Sequence, residues 1–331
     1  MTLASWILCM CVHWAAPPMT ADPLPLGPTV PRGQTVPRGQ TIPPGKTAPL
    51  GKTPATSPTT ARDVFVSALQ EFQGIGAPQF QDHLTRFVDR WLARDPGAGP
   101  ELARKHRTAV LLGLGTLFDA GDTLRQTPIV GSMLKGIATQ EEKLIRDRIC
   151  SHARLHGRHD APKHFFLAAA LTSRGGPAAA TQAGLVKEFE DARRFERTPS
   201  EGSGFSFLDL AYDHAGVRFA ASLLGWKAPE KLAQPPLPVA SFLPDFTTLS
   251  LPERIGWQLY QDEYRGEKSD AILERIHSAI DENLVEVARH TAESPPEPDS
   301  DEPNSDEPEK TPGSSQKPGK VPANPKSGFT P

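Results

Sequence analysis

Apolar residues recur with helical spacing through the middle of the chain. In residues 61–72 they share one face, and residues 78–92 repeat this pattern with Phe80, Phe87 and Trp91. The same spacing predicts further helices over residues 101–124, 129–155, 160–172, 177–191, 206–224, 252–264 and 268–289. With about nine helices and few alternating β-branched runs, residues 61–290 are predicted to fold as an all-α, multi-helix bundle.

Both ends of the chain differ from this middle part. Of the 35 prolines, 12 lie in residues 1–60 and 10 in residues 291–331. Glycine recurs every six residues from Gly27 to Gly51, and proline in nearly every repeat favours an extended linker over residues 22–60 rather than a β-solenoid. Residues 291–331 are acidic and rich in proline and serine, which predicts a disordered tail.

The first residues have the character of an export signal. Residues 3–14 form an apolar stretch of signal-peptide length that is too short to span a bilayer. We interpret residues 1–21 as a signal peptide with cleavage after Ala16 or Ala21, and expect a periplasmic or secreted protein. Neither Cys9 nor Cys11 follows a small residue as lipid attachment requires. Cys150 would then be the only remaining cysteine, and we expect it to be a buried structural thiol.

Overall charge and hydropathy narrow the classes of partner. The net charge is −3 and the isoelectric point is near 6.4, which argues against a basic nucleic-acid binder. No apolar run reaches the 18 to 20 residues that a transmembrane helix needs. An envelope component or another protein is the expected partner, and the sequence leaves the oligomeric state open.

Several ionisable residues interrupt the apolar stripes of three predicted helices. His164 lies one turn after Asp160, Glu188 and Asp191 share a face of the next helix, and Asp213 lies inside the stripe of the third. Because an unpaired buried charge costs several kcal/mol, these groups should meet one another, a metal or a ligand. His164, Glu188 and Asp213 are the candidate catalytic residues, and all five are candidate metal ligands.

Each neighbouring polar residue also has a structural interpretation. Asp160 precedes Ala161 and Pro162, as a helix N-cap does. Asp191 follows Lys187 by four residues and fits a surface ion pair. Asp209 follows Ser206 by three residues and fits a capping box.

Three short motifs in this region carry a family resemblance. They read Asp160-x-x-Lys163-His164-Phe165, then Gly184-x-x-Lys187-Glu188-x-x-Asp191, then Phe205-Ser206-x-x-Asp209-Leu210-x-x-Asp213-x-x-Gly216. Their order resembles the YfiM-type family of small bacterial envelope lipoproteins, and the first motif is similar to the opening motif of VanZ-like proteins. The resemblance covers residues 160–225 and implies an envelope location and a compact helical unit. The chain differs from that family in lacking the lipid-bearing cysteine and in adding helices before the shared unit.

Two functional hypotheses follow. The first is an exported cell-envelope protein that acts as a structural or binding helical module. The alternative is a metal-dependent hydrolase, in which one imidazole and several carboxylates hold Mn, Fe, Mg or Zn and activate water. Without a metal, His164 beside a carboxylate could act as a general base.

Two weaker patterns suggest other chemistry. The dipeptide His159–Asp160, with His106 before it and Asp209 or Asp213 after it, follows the order of ligands in HD phosphohydrolases. His152, His156 and His159 stand among arginines and could bind phosphate or Zn, although a solvated helix end is the more common reason for such a cluster.

Overall fold

The computed structural model describes residues 59–94, 99–120, 136–200, 202–226 and 237–293. The helices are α1 (Ala61–Phe72), α2 (Ala77–Ala93), α3 (Pro100–Phe118), α4 (Gln140–His152), α5 (Ala161–Arg197), α6 (Phe207–Leu223), α7 (Trp257–Leu259) and α8 (Glu267–Glu293). Two short 3-10 turns precede α7, and a π-helical turn, Tyr260–Tyr264, follows it. The predicted signal peptide, the tail after residue 293 and all but the last two residues of the predicted linker lie outside the described residues.

Helices α3 and α6 lie at the centre of the core. The segment TAVLLGLGTLF of α3 is apolar on all sides, so it is buried around its whole circumference. Val110, Leu111 and Leu114 have no exposed surface. Most residues of α6 are also buried, and the amphipathic helices α1, α2 and α8 contribute one apolar face each.

The all-α prediction is confirmed. Across the described ranges the only β-type pairings are two isolated bridges, Leu155 with Arg158 and Phe205 with Ile255. The two predicted helices, 160–172 and 177–191, are both present as the two halves of α5, which are separated by a kink at Gly176, whose φ of 82° is not helical. No described helix combines the length and the apolar character that a membrane crossing requires.

Some predicted boundaries are wrong. Helix α7 begins at Trp257 rather than at residue 252, because Ile255 exchanges backbone hydrogen bonds with Phe205 and is held extended. Helix α8 continues to Glu293, past the predicted end at residue 289.

Cys150 is half-buried. Its Sγ donates to the Leu117 carbonyl over 3.2 Å, and burial raises its pKa to about 12.

Glycine residues allow α5 and α6 to approach each other closely. A Cβ atom on Gly216 of α6 would overlap the carbonyl oxygen of Phe165 in α5. A Cβ atom on Gly184 of α5 would lie 2.7 Å from Oδ2 of Asp213 in α6. The absence of these two side chains therefore brings polar residues on the two helices within hydrogen-bonding distance.

We predict that Gly216→Ala destabilises the protein by about 1–3 kcal/mol, because the new methyl group forces α5 away from α6. At an unconstrained helix position the same change would stabilise by about 0.5–1 kcal/mol. Urea unfolding of the variant measures the difference. Gly175→Ala is the control, since Gly175 is exposed on α5 and its Cβ would meet only the side chain of Ala179. Equal stability of the two variants would contradict the close contact.

Candidate functional site

The centre of the site is an imidazole held between two carboxylates. His164 lies on α5, where its Nδ1 is 3.1 Å from Oδ1 of Asp213 and its Nε2 is 3.1 Å from Oδ2 of Asp209. Both aspartates lie on α6, one turn apart, so they face the same point on α5. His164 is 5% exposed, Asp209 5% and Asp213 6%. Both imidazole nitrogens are therefore occupied in a space that is almost closed to water.

A second group adjoins the first on the other half of α5. Glu188 has no exposed surface. Its Oε1 accepts from Nζ of Lys187 over 2.6 Å, and its Oε2 accepts from the backbone N–H of Ser206 over 2.9 Å. The Lys187 ammonium also donates to Oδ2 of Asp191 over 2.9 Å. This group ties the second half of α5 to the residue that precedes α6.

Arg158 extends the network to the surface. Its Nε and Nη2 donate to the two carboxylate oxygens of Asp160 over 3.0 and 2.8 Å. Nη2 also reaches Oδ1 of Asp209 over 3.2 Å, and Nη1 donates to Oε2 of Glu253 over 2.6 Å. Asp209 thus accepts from a buried imidazole on one side and from a partly exposed guanidinium on the other.

Burial and ion pairing shift the pKa values of these side chains in opposite directions. Burial alone would lower the pKa of His164, but the carboxylates of Asp209 and Asp213 outweigh it and raise that pKa to about 10. Burial would raise the pKa of Asp209, but the His164 imidazolium, with Lys187, holds it well below its usual range. For Glu188, burial dominates over the attraction of Lys187 and raises the pKa to about 7. At neutral pH His164 is therefore a cation that donates from both nitrogens.

The predicted site residues are only partly brought together. His164 and Asp213 are in direct contact. In the part of the chain that the structure describes, one group of possible metal ligands has its ligand atoms within 4.8 Å of one another, and it consists of His164, Glu188 and Asp209. Asp191 and Asp160 lie outside this group and bind Lys187 and Arg158, respectively.

Asp209 is not among the five residues that the apolar stripes single out; the sequence indicates a capping role for it, and only the HD-type pattern includes it as a possible ligand. The Ser206 hydroxyl does accept from the Asp209 backbone N–H over 3.0 Å, as the capping motif predicts. The Asp209 carboxylate, however, turns to His164 and Arg158, while Glu188 takes the Ser206 backbone N–H. The spacing of Asp209 and Asp213 could have indicated this contact, because residues four apart lie on the same face of a helix.

The predicted capping role of Asp160 and the predicted surface ion pair of Lys187 with Asp191 are each only partly seen in the structure. The Asp160 side chain makes no capping hydrogen bond, although the residue does occupy the N-cap position of α5. Lys187 and Asp191 form an ion pair as predicted, but it is largely buried and includes Glu188.

The residues of the HD-type pattern do not converge. His159 is exposed, and His106 is buried elsewhere with its Nε2 2.6 Å from the Trp91 carbonyl oxygen. Neither belongs to the group of ligand atoms around His164. In the histidine and arginine cluster, His152 is exposed at the end of α4, as expected for a solvated helix end.

No family model matches the sequence, and neither a curated protein nor a solved structure matches it.

The His164 pKa predicts a pH-dependent stability. Because the folded-state pKa is about 10 and the ordinary value is 6.5, the stabilisation is complete below pH 6.5 and is lost as the pH rises towards 10. The unfolding free energy should fall between pH 7.5 and 10 by up to about 1.4 kcal/mol per pH unit. Above pH 7.5 the Glu188 carboxyl is mostly ionised and contributes little to this slope.

Urea unfolding of the wild type and of His164→Gln over this pH range measures the effect. The variant should lose the slope, and exposed His152→Gln should retain it. The His164 imidazole resonances of the wild-type chain give the same pKa by NMR, even if the variant does not fold. A His164 pKa near 6.5 would contradict the double carboxylate contact.

Proposed function

We propose that this chain is an exported helical module of the bacterial cell envelope with a structural or binding role, and that its buried ion network fixes α5 against α6. One observation carries the choice over hydrolysis: both nitrogens of His164 are bound to carboxylates in a group that is at most 6% exposed. A catalytic imidazole or metal must reach a substrate. A packing role requires no such access.

The charges of the network support a locking role. His164, Lys187 and Arg158 each bind at least two carboxylates. Removing one partner of such a buried pair leaves an uncompensated charge, at a cost of about 3–5 kcal/mol. Since these bonds are directional, a shift of α5 along α6 would break several of them together. The network therefore favours a single register of the two helices.

The envelope assignment is supported by the apolar stretch at residues 3–14 and by the three motifs that resemble the YfiM-type family. A periplasmic or secreted module, held at a distance from its attachment or partner by a proline-rich linker, is consistent with both. The partner we propose is an envelope component or an envelope protein.

A second candidate function, a metal-dependent hydrolase, is favoured by one specific observation. One ligand atom each from His164, Glu188 and Asp209 lies within 4.8 Å of the other two. Asp213 would hold the Nδ1 proton and direct Nε2 towards an ion, as carboxylates do behind metal-bound histidines. A divalent ion there would lower the pKa of a bound water. Against this, the Lys187 ammonium already binds Glu188, and His164 must lose a proton before it can ligate.

We predict that the protein purified without chelator holds no metal that depends on Asp209. Elemental analysis of the wild type and of Asp209→Asn should give equal metal contents, and a chelator should change the melting temperatures of the two proteins by the same amount. Asp270→Asn, on the exposed side of α8, is the matched control. A metal near one equivalent that is lost in Asp209→Asn and retained in Asp270→Asn would replace the packing role with the metal centre.

We also predict that the chain expressed in a bacterial host is recovered outside the cytoplasm with an amino terminus at residue 17 or 22. Leu8→Arg should block export, because a charge interrupts the apolar stretch of the signal. Gln40→Arg, which adds the same charge in the predicted linker, should be exported normally. Mass spectrometry and cell fractionation provide the measurement. A wild-type chain that keeps residues 1–21 and stays in the cytoplasm would contradict the export proposal.

A further inference from the structure

Two histidines face each other where α8 packs on α6. Nε2 of His277 on α8 lies 2.9 Å from Nδ1 of His214 on α6. The ring centroids are 4.6 Å apart and the rings are inclined by 66°. A single proton lies between the two nitrogens, so one ring donates and the other accepts. This contact belongs to neither the ion network nor the apolar core.

A second contact, an ion pair, joins the same two helices one turn further along. Arg218 follows His214 by four residues, Asp281 follows His277 by four residues, and the Arg218 guanidinium binds the Asp281 carboxylate. The two helices therefore run side by side in register. Asp281 follows His277 by four residues, the spacing at which two side chains of one helix can ligate the same ion. Turning towards such an ion would release the Asp281 carboxylate from Arg218.

The two imidazole nitrogens lie close to the separation that a metal site requires. With metal–nitrogen bonds of about 2.0–2.1 Å, two nitrogens of a tetrahedral zinc site lie about 3.3 Å apart. From the observed separation of 2.9 Å the nitrogens must move apart by about 0.4 Å, and the rings must turn so that both lone pairs point to an ion beside the line that joins them. His277 is exposed and His214 is partly buried, so an ion can reach the pair from solvent.

Burial, more than the surrounding charges, keeps both rings neutral. Burial, with the proximity of His277, lowers the pKa of His214 to about 4, although Asp213 acts in the other direction. Burial and the Arg218 cation also lower the pKa of His277. At neutral pH protons therefore compete little for the ligand nitrogens. Arg218 also repels an incoming cation, which Asp281 offsets.

We propose that His214 and His277, with Asp281 as a third ligand, form an interhelical site for a borderline divalent transition-metal ion such as Zn²⁺. Imidazole nitrogen with one carboxylate is a donor set that zinc accepts and that Mg²⁺ or Ca²⁺ does not favour. Water completes the coordination. The ion joins α6 to α8 and stabilises the folded chain in proportion to its occupancy.

The test uses the full chain, freed of metal by chelator and dialysis. ZnCl₂ at about 100 μM should raise the melting temperature by about 3 °C or more, and MgCl₂ should not. Titration calorimetry should show about one zinc per chain. His277→Gln should abolish both effects, because the amide keeps the polarity and the size of the side chain but cannot ligate zinc in this way. Asp281→Asn should weaken zinc binding by about tenfold or more.

Two other histidine variants separate this site from alternatives. His152→Gln, in the exposed cluster at the end of α4, should leave the zinc response intact. His164→Gln should also retain it, whatever its own melting temperature. The absence of a zinc response in the wild type, or an equal response in His277→Gln, would overturn the proposal. A response that is lost only in His164→Gln would also overturn it and place the ion in the buried network.

Discussion

The charge of His164 in a space almost closed to water is the constraint on which the packing of α5 and α6 depends. Moving a charged group of this size out of water costs several kcal/mol even after relaxation. The cost is offset only where carboxylates stand at both ring nitrogens, and Asp209 and Asp213 meet that condition at 3.1 Å each. The helices must therefore come close, which Gly184 and Gly216 permit by the absence of side chains.

The same condition extends to parts of the chain that are distant in sequence. Asp209 shares its carboxylate between His164 and Arg158, and Arg158 in turn binds Glu253, almost one hundred residues later. Glu188 accepts from the backbone that leads into α6. An apolar interface would tolerate small displacements with gradual loss of contact. This network combines directional bonds with buried charge, so a displacement of α5 against α6 breaks ion pairs. The start of α6 is held by Glu188 on one side and by Arg158 on the other.

The sequence predicted the helices better than the contacts between them. Apolar periodicity is a local property, and it located α1, α2 and α6 to within one residue at each end. The extended stretch before α7 could not be predicted in this way, because Ile255 is held by Phe205, far along the chain. The polar residues inside apolar stripes correctly marked His164 and Asp213 as partners.

Asp209 shows where such reasoning reaches its limit. A capping box accounts for a serine followed by an acid at the third position without any tertiary contact. The serine part of the capping box is present, since the Ser206 hydroxyl accepts from the Asp209 backbone N–H. The carboxylate is drawn away because a buried cation outweighs a backbone N–H as a partner, and that cation lies on another helix. Only the spacing of Asp209 and Asp213, one turn apart on a buried face, carries the information.

His164 on α5 and His214 on α6 show how one type of side chain takes opposite charge states in one fold. Both His164 and His214 lose hydration, and in each case burial is the largest single influence on the pKa. Two carboxylates in direct contact reverse the effect at His164 and make it a cation at neutral pH, which cannot ligate a metal without losing a proton. At His214 the Asp213 carboxylate also favours the charged form, but burial, the His277 imidazole and the Arg218 guanidinium outweigh it, so the ring remains a neutral base. The first site is therefore suited to holding helices together, and the second is the one whose nitrogens are free of positive charge and open to an ion.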